Sequence, residues 1–325
     1  MAEPIVMERV IPATPDEAFA LFSEPERLRR WFAVTASIDA TVGGDVRIAP
    51  VAGSINRGSI TELDPGRRFV WTWGWEGSEA GPGSSTVAVD FEPHDDGTLV
   101  RLTHSGLPDD EVAGHTDGWA HYLGRLATAA ADGDAGIDEY GTGIEEYDHL
   151  SSAEASWAWC SHVMHRFGPG DRDKPTPCAD YTVHDLAEHL MGSVRSLGGM
   201  AGAEIPEEIE AADAEDWMAQ AVEPCLAAWR ARGLDGELPF AGGTAPASIP
   251  AGILSLEFLI HAWDFARATG QTIDPPAALV DYVQGIAEET IRPEYRGPDK
   301  GFAEIVAAPD ANPLEQLMAF TGRAI

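Results

Sequence analysis

Glu257 and His261 stand four residues apart inside the stretch Leu254 to Gly270, LSLEFLIHAWDFARATG. The stretch reads as an unbroken helical pattern and ends at a glycine suited to a C-cap. On a helix that spacing stacks a carboxylate and an imidazole on one face, about one turn apart, where both can reach a single ion. Two ligands do not close a metal site. His189 offers a third, in the stretch Cys178 to Ser193, CADYTVHDLAEHLMGS. There Tyr181-Thr182 reads as a helix start, with Asp185 in the first turn. Two imidazoles and a carboxylate with an open fourth position are the donor set of several catalytic zinc enzymes, and non-haem iron uses a similar set. Each donor has a plainer alternative. A single helical histidine is usually just packed or exposed, and an isolated Glu257/His261 pair is a surface contact worth about 0.2–0.5 kcal/mol.

Both stretches resemble the bacterial family of mycothiol-dependent maleylpyruvate isomerases and their DinB-like metal-binding relatives. In that family C-x-x-W-T-V-x-D-L-x-x-H-L is followed far downstream by E-x-x-x-H-x-W-D-L-A-x-A-T-G. Tyr181 stands where tryptophan is usual and Phe265 where leucine is usual, and neither change touches a ligand. The tail EQLMAFTGRAI is also similar to the family's terminus. The resemblance implies a divalent metal on His189, Glu257 and His261, with Zn2+ the first choice and Ni2+ or Fe2+ as alternatives. It also implies mycothiol as the thiol cosubstrate. Asp264, in the same motif, is expected to orient a ligand or cap a neighbouring helix rather than ligate. His184 lies five residues before His189 and points elsewhere, while His149, His162 and His165 match no motif position.

A divalent cation deprotonates a coordinated thiol, which turns a small thiol into a nucleophile at neutral pH. In the resembling isomerases the thiolate adds to an unsaturated substrate, permits rotation about the former double bond and is then expelled. Other relatives transfer the thiol to an electrophile. The expected function is therefore a metal-dependent, thiol-activating isomerase or S-transferase acting on a small electrophile. The alternative is a non-catalytic, small-molecule-binding or co-chaperone-like stress protein with a structural metal. An anionic substrate such as maleylpyruvate would need a cationic clamp, for which Arg195, Arg267 and Arg323 are the candidates.

Two domains are expected to position these residues, since 325 residues are long for one domain and comfortable for two. Lys plus Arg number 21 against 54 Asp plus Glu, a net charge of −33 that argues against nucleic acid or an anionic membrane as partner. The acidity is spread over both halves and names no substrate; nothing in the spacing speaks to oligomeric state. No run of 18 apolar residues occurs, and MAEPIVMERV lacks the basic start and apolar core of a signal peptide, so a cytoplasmic protein is expected. Cys160, Cys178 and Cys225 show no C-x-x-C spacing and read as buried thiols.

Residues 1–132 read as a helix-grip domain of the α+β class. A strand at residues 3 to 11 precedes two short helices, and a meander follows, punctuated at Gly43-Gly44, Asn56-Arg57-Gly58, Asp64-Pro65-Gly66 and Asp95-Asp96-Gly97. A long amphipathic helix from Pro108 to about Ala131 closes it. The segments WFAVTASIDATVGGDVRI, RRFVWTWGWE and LTHSGLPDDE…GWAHYLGRL look like the START-like domains related to activators of a heat-shock-protein ATPase. That resemblance implies an apolar-ligand cavity in some relatives and a co-chaperone role in others. Trp71, Trp73 and Trp75 alternate and so project from one strand face, where with Trp119 they either line the cavity or fill it. His104, His115 and His121 share no spacing and read as ordinary residues. Residues 133–143, DGDAGIDEYGTG with the preceding aspartate, read as a linker. Residues 144–325 read as an all-α, DinB-like four-helix bundle with the metal between facing helices.

Overall fold

The computed structural model describes residues 2–78, 81–178, 180–297 and 300–325. The chain divides into two compact units, Met1–Gly141 and Thr142–Ile325. In the first, strand β1 (Ile5–Ile11) leads to α1 (Pro15–Ser23) and α2 (Pro25–Leu28). Then come β2 (Thr35–Ile38), β3 (Asp45–Val51), β4 (Ser54–Asp64), β5 (Arg68–Trp73), β6 (Ser85–His94), β7 (Gly97–Ser105), α3 (Val112–Asp132) and the short α4 (Glu139–Thr142). Helix α1 starts where the sequence supplies a full capping box. Thr14 Oγ1 accepts from the Glu17 N–H at 3.3 Å and the Glu17 carboxylate accepts from the Thr14 N–H at 2.8 Å.

Among the described residues the strands form one antiparallel sheet in the order β1-β7-β6-β5-β4-β3-β2. Its alternation is cleanest on β7, where Val100, Leu102 and His104 point inward between half-buried Arg101 and Thr103. Trp119, Tyr122, Leu123 and Leu126 of α3 join that inward face in one core with Phe19, Phe22, Trp31, Phe32, Phe69 and Phe91. Each such side chain contributes on the order of 1.5–3 kcal/mol by leaving water. The helix-grip architecture is therefore as expected, with one turn displaced. Asn56-Arg57-Gly58 lies inside β4, and β3 turns into β4 at Ala52-Gly53 instead, where Gly53 takes φ 86°. Gly58 is a glycine because β5 passes over it; a Cβ there would sit 1.7 Å from the Thr72 carbonyl oxygen. Residues 133–141 belong to the first unit: Arg125 donates to the Gly136 carbonyl at 2.6 Å, and the Gly141 carbonyl accepts from Ala52 N–H at 2.8 Å.

The second unit contains α5 (His149–His165), α6 (Val183–Met200), α7 (Ala214–Arg232), strands β8 (Glu237–Phe240) and β9 (Gly243–Pro246), α8 (Ser248–Thr269), α9 (Ala277–Thr290) and α10 (Pro313–Phe320). Helices α5, α8, α6 and α7 pack as a ring in which each touches the next. The apolar spacing on α5 and α7 is obeyed: Trp157, Cys160, Met218, Val222, Cys225 and Trp229 are all fully buried. Helix α8 is the central element, buried on nearly every side from Leu254 to Ala266. It is also long and apolar enough to cross a membrane, but 83% of its most apolar window is buried inside the unit. The β8–β9 hairpin was not expected. Its four-residue strands are too short to show a period, and its signal is the Ala241-Gly242 turn, with φ 48° and 81°.

Replacing Gly58 by alanine should destabilise the first unit by about 3 kcal/mol or more, since backbone has to move to admit the methyl group. Denaturant unfolding of the full chain followed by tryptophan fluorescence checks this; a change below about 1 kcal/mol would show that β4 and β5 can part cheaply.

Candidate metal centre and aromatic cleft

Helix α6 opens at Thr182, whose hydroxyl accepts from the Asp185 N–H at 3.2 Å while Asp185 accepts from the Thr182 N–H at 3.0 Å. That box sets the phase of the helix and carries His189 round to α8. Glu257 Oε2 lies 3.6 Å from His189 Nε2 and 3.7 Å from His261 Nε2, and donor atoms of the three residues all fall within 4.8 Å of one another. The edge of a tetrahedral zinc shell with ligands at about 2.0–2.2 Å is roughly 3.4 Å, so the three donors stand close to the spacing a cation needs. Glu257 Oε2 is also buried with no hydrogen-bond partner among the described residues. An orphaned carboxylate oxygen between two imidazoles is costly unless a cation or proton satisfies it.

Exposure is graded across the trio. The side chains of His261, Glu257 and His189 are 6%, 18% and 38% exposed. Burial, outweighing the pull of Glu257, holds His189 below the ordinary imidazole range, which keeps it neutral and able to ligate. A cleft of ≈ 440 Å³ opens at His189 and Glu257, walled by Ser193, Ser196, Leu197, Met200, Phe240 and Ile253.

Behind His261 lies a fully buried ion pair. Asp264 Oδ2 accepts from His261 Nδ1 at 2.9 Å, and Arg323 donates to both Asp264 oxygens at 2.7 and 2.6 Å. Burial disfavours the Asp264 charge, yet the Arg323 and His261 donors hold its carboxyl below the usual range. An ionised carboxylate only accepts, so His261 carries a proton on Nδ1, and Nε2 is the ring nitrogen that faces Glu257. Of the three arginines expected as clamps, none lines the cleft. Arg323 is bound to Asp264, Arg267 lies over the Trp263 ring at 5.4 Å, and Arg195 donates to the Pro206 and Glu207 carbonyls at 2.7 and 2.8 Å.

Cys178 departs from the buried-thiol expectation. Cys160 and Cys225 are fully buried, but Cys178 is only partly so, and its sulfur lies within 4.8 Å of donor atoms of His261 and Asp264. Burial pushes its thiol up to about 11, so it stays protonated at neutral pH. Its place at the head of the motif stretch was the one signal in the sequence.

In the first unit, Trp73, Trp75 and Trp119 line a second cleft of ≈ 620 Å³ with Phe32, His115 and Tyr122. Trp71 does not line it; it stacks on Phe69 at 5.0 Å deep in the core, so one indole of the stripe is filling and two are wall. His104 and His115 are not ordinary residues either. Trp119 Nε1 donates to His104 Nδ1 at 3.1 Å, His104 Nε2 lies 2.9 Å from Ser85 Oγ, and Ser85 donates on to the Trp73 carbonyl at 3.2 Å. Trp75 Nε1 donates to His115 Nε2 at 3.3 Å. Burial, with the nearby His115, drives His104 down to about 3, so it is neutral in the folded chain. Its inward register on β7 was legible from the alternation; its indole partner on α3 was not.

Residues 12–131 match the family described as Activator of Hsp90 ATPase homolog 1-like protein, and residues 153–266 match the mycothiol maleylpyruvate isomerase N-terminal domain. Two uncharacterized proteins of Mycobacterium tuberculosis are each 34% identical over 155 residues, covering 46% of this chain and 84% of theirs. Among solved structures, an AHSA1-like protein of Rhizobium etli is 41% identical, covering 46% of this chain and 96% of its own, with a TM-score of 0.35. The Aha1 dimer from Colwellia psychrerythraea is 23% identical, covering 41% and 98%, with a TM-score of 0.37.

Two outcomes are expected. Arg323→Met should weaken metal binding by about 10- to 100-fold, as losses of groups that orient a ligand do, read as the dissociation constant for Co2+. Unchanged affinity would separate the ion pair from the site. Unfolded His104 titrates near 6.5 and folded His104 near 3, so the unfolded chain binds more protons between those values. Its contribution is complete above pH 6.5 and is lost as pH falls toward 3, by about 2 kcal/mol at pH 5. The stability difference between wild type and His104→Gln, measured at pH 7.5 and pH 5, should narrow by that amount.

Proposed function

We propose that this chain, which belongs to the Activator of Hsp90 ATPase homolog 1-like family through its first unit and to the mycothiol maleylpyruvate isomerase N-terminal family through its second, is a thiol-activating, metal-dependent enzyme. Its reaction is isomerisation or S-transfer on a small electrophile, its first unit binds an apolar small molecule, and zinc is the metal its donor set suits best. The observation that carries this is the buried, unpartnered Glu257 Oε2 between two imidazole nitrogens, at the floor of a cleft. A structural metal site is closed on all sides, whereas this one opens at its His189 edge.

A divalent cation on His189, Glu257 and His261 supplies the charge that lowers the pKa of a bound thiol. The chain does the rest. Neutral His189 and the Nδ1-protonated His261 direct lone pairs inward, and the Asp264–Arg323 pair holds that tautomer in place. Leu197, Met200, Phe240 and Ile253 keep water from one wall of the cleft, where a thiolate is less hydrated and more nucleophilic.

Elemental mass spectrometry on protein purified without an affinity-metal step tests the assignment. Wild type should carry close to one metal per chain, and His189→Ala and Glu257→Ala should lose it. Cobalt-loaded wild type should change its visible spectrum when mycothiol is added. Wild type that takes up no metal even after reconstitution would end the proposal.

A further inference from the structure

We infer that the electrophile this site accepts is uncharged, a compact and largely apolar molecule carrying a carbonyl-type acceptor, in place of a carboxylate-bearing one. The inference rests on the thiol-activating function proposed above and concerns its substrate class. It follows from what walls the cleft and from where the nearby cations have gone.

Among the described residues that line the cleft there is no lysine and no arginine. Its charged or titratable members are His189 and Glu257, both taken up by the metal site. The remaining wall is Leu197, Met200, Phe240 and Ile253, with the hydroxyls of Ser193 and Ser196 as the neutral polar groups. Arg195, Arg267 and Arg323, the cations near in sequence to the site's helices and tail, are held by backbone carbonyls, by an indole face and by Asp264. Freeing Arg323 would leave Asp264 as a buried, unpaired anion, which is strongly unfavourable.

The charge count at the centre points the same way. A divalent cation with one carboxylate and one thiolate is neutral, so it offers a carboxylate substrate no net attraction. A dianion would lose its hydration against an apolar wall without a partner, and the chain's net charge of −33 slows its approach further. A neutral α,β-unsaturated ester or ketone meets none of these costs. The thiol sulfur bonds to the β-carbon, the C=C π pair shifts to join the α-carbon to the carbonyl carbon and the C=O π pair moves onto oxygen; the carbonyl then re-forms as the α-carbon takes up the proton the thiol gave up. The adduct is the sum of thiol and substrate; loss of the thiol after rotation gives the isomer.

Matched pairs that differ in charge test this on the zinc-loaded full chain. Dimethyl succinate and succinate share a skeleton and are inert to thiols, so calorimetry can read their binding with mycothiol present. The diester should bind at least tenfold more tightly. Ser196→Arg and Met200→Arg, each adding a cation to the wall, should strengthen succinate binding at least tenfold. Succinate binding as tightly as the diester, or no binding of the diester, would overturn the inference. Dimethyl maleate then reports the chemistry separately. If diesters bind but dimethyl maleate is neither isomerised nor conjugated faster than by mycothiol alone, the charge preference holds and the thiol-activating function fails.

Discussion

Asp264 is buried without exposure in the middle of a helical bundle, and a carboxylate in that position has to be cancelled before its surroundings can pack. Arg323, in the tail that follows α10, supplies the cancelling charge through two short hydrogen bonds. The pair does more than neutralise. With its charge retained, Asp264 can only accept, and the hydrogen bond it takes from His261 decides which ring nitrogen faces Glu257. The geometry of the candidate metal centre thus hangs on a contact between helix α8 and a tail 59 residues later.

From that anchored side the centre becomes progressively wetter. His261 and Glu257 sit on the most buried helix of the unit, while His189 comes from α6 and borders the cleft. A site built this way is rigid on the side of His261 and Glu257 and accessible on the side of His189. Rigidity comes from packing: α8 is apolar on nearly all sides, and the candidate metal donors Glu257 and His261 are among the few polar groups it carries inward, with Ser255 and Asp264. The cost is an oxygen on Glu257 that no donor among the described residues satisfies.

The first unit solves a different problem with similar means. Its sheet and long helix α3 bring more aromatic rings together than the core needs, and the surplus forms a wall. Polar edges of those rings are tied off by histidines: Trp119 to His104, Trp75 to His115. His104, which receives the Trp119 indole N–H, is kept neutral by its burial. The cleft is lined mainly by aromatic rings, with Asp110 and Glu111 also in its lining, and the aromatic part is chemically suited to an apolar guest.

Much of this protein was determined by local pattern. Period-two alternation on β7, the capping boxes at Thr14 and Thr182, and the burial spacing on α5 and α7 belong to single elements, and each could be read from neighbours within a few residues. The same holds for Glu257 and His261, because one helical turn relates them, and the motif resemblance pointed to His189 as their companion. What the tertiary structure alone decided are pairings between distant segments. Arg323 was visible as a cation but not as the partner of Asp264; Trp71 and Trp73 share one strand face, yet only the approach of α3 makes one of them filling and the other wall. Asn56-Arg57-Gly58 looked like a turn because its composition is that of one, when its glycine answers to the Thr72 carbonyl of the next strand. Sequence spacing carries the geometry of a helix or strand; it does not carry the distance between two of them, and charge pairing, cavity walls and close backbone approach are set by that distance.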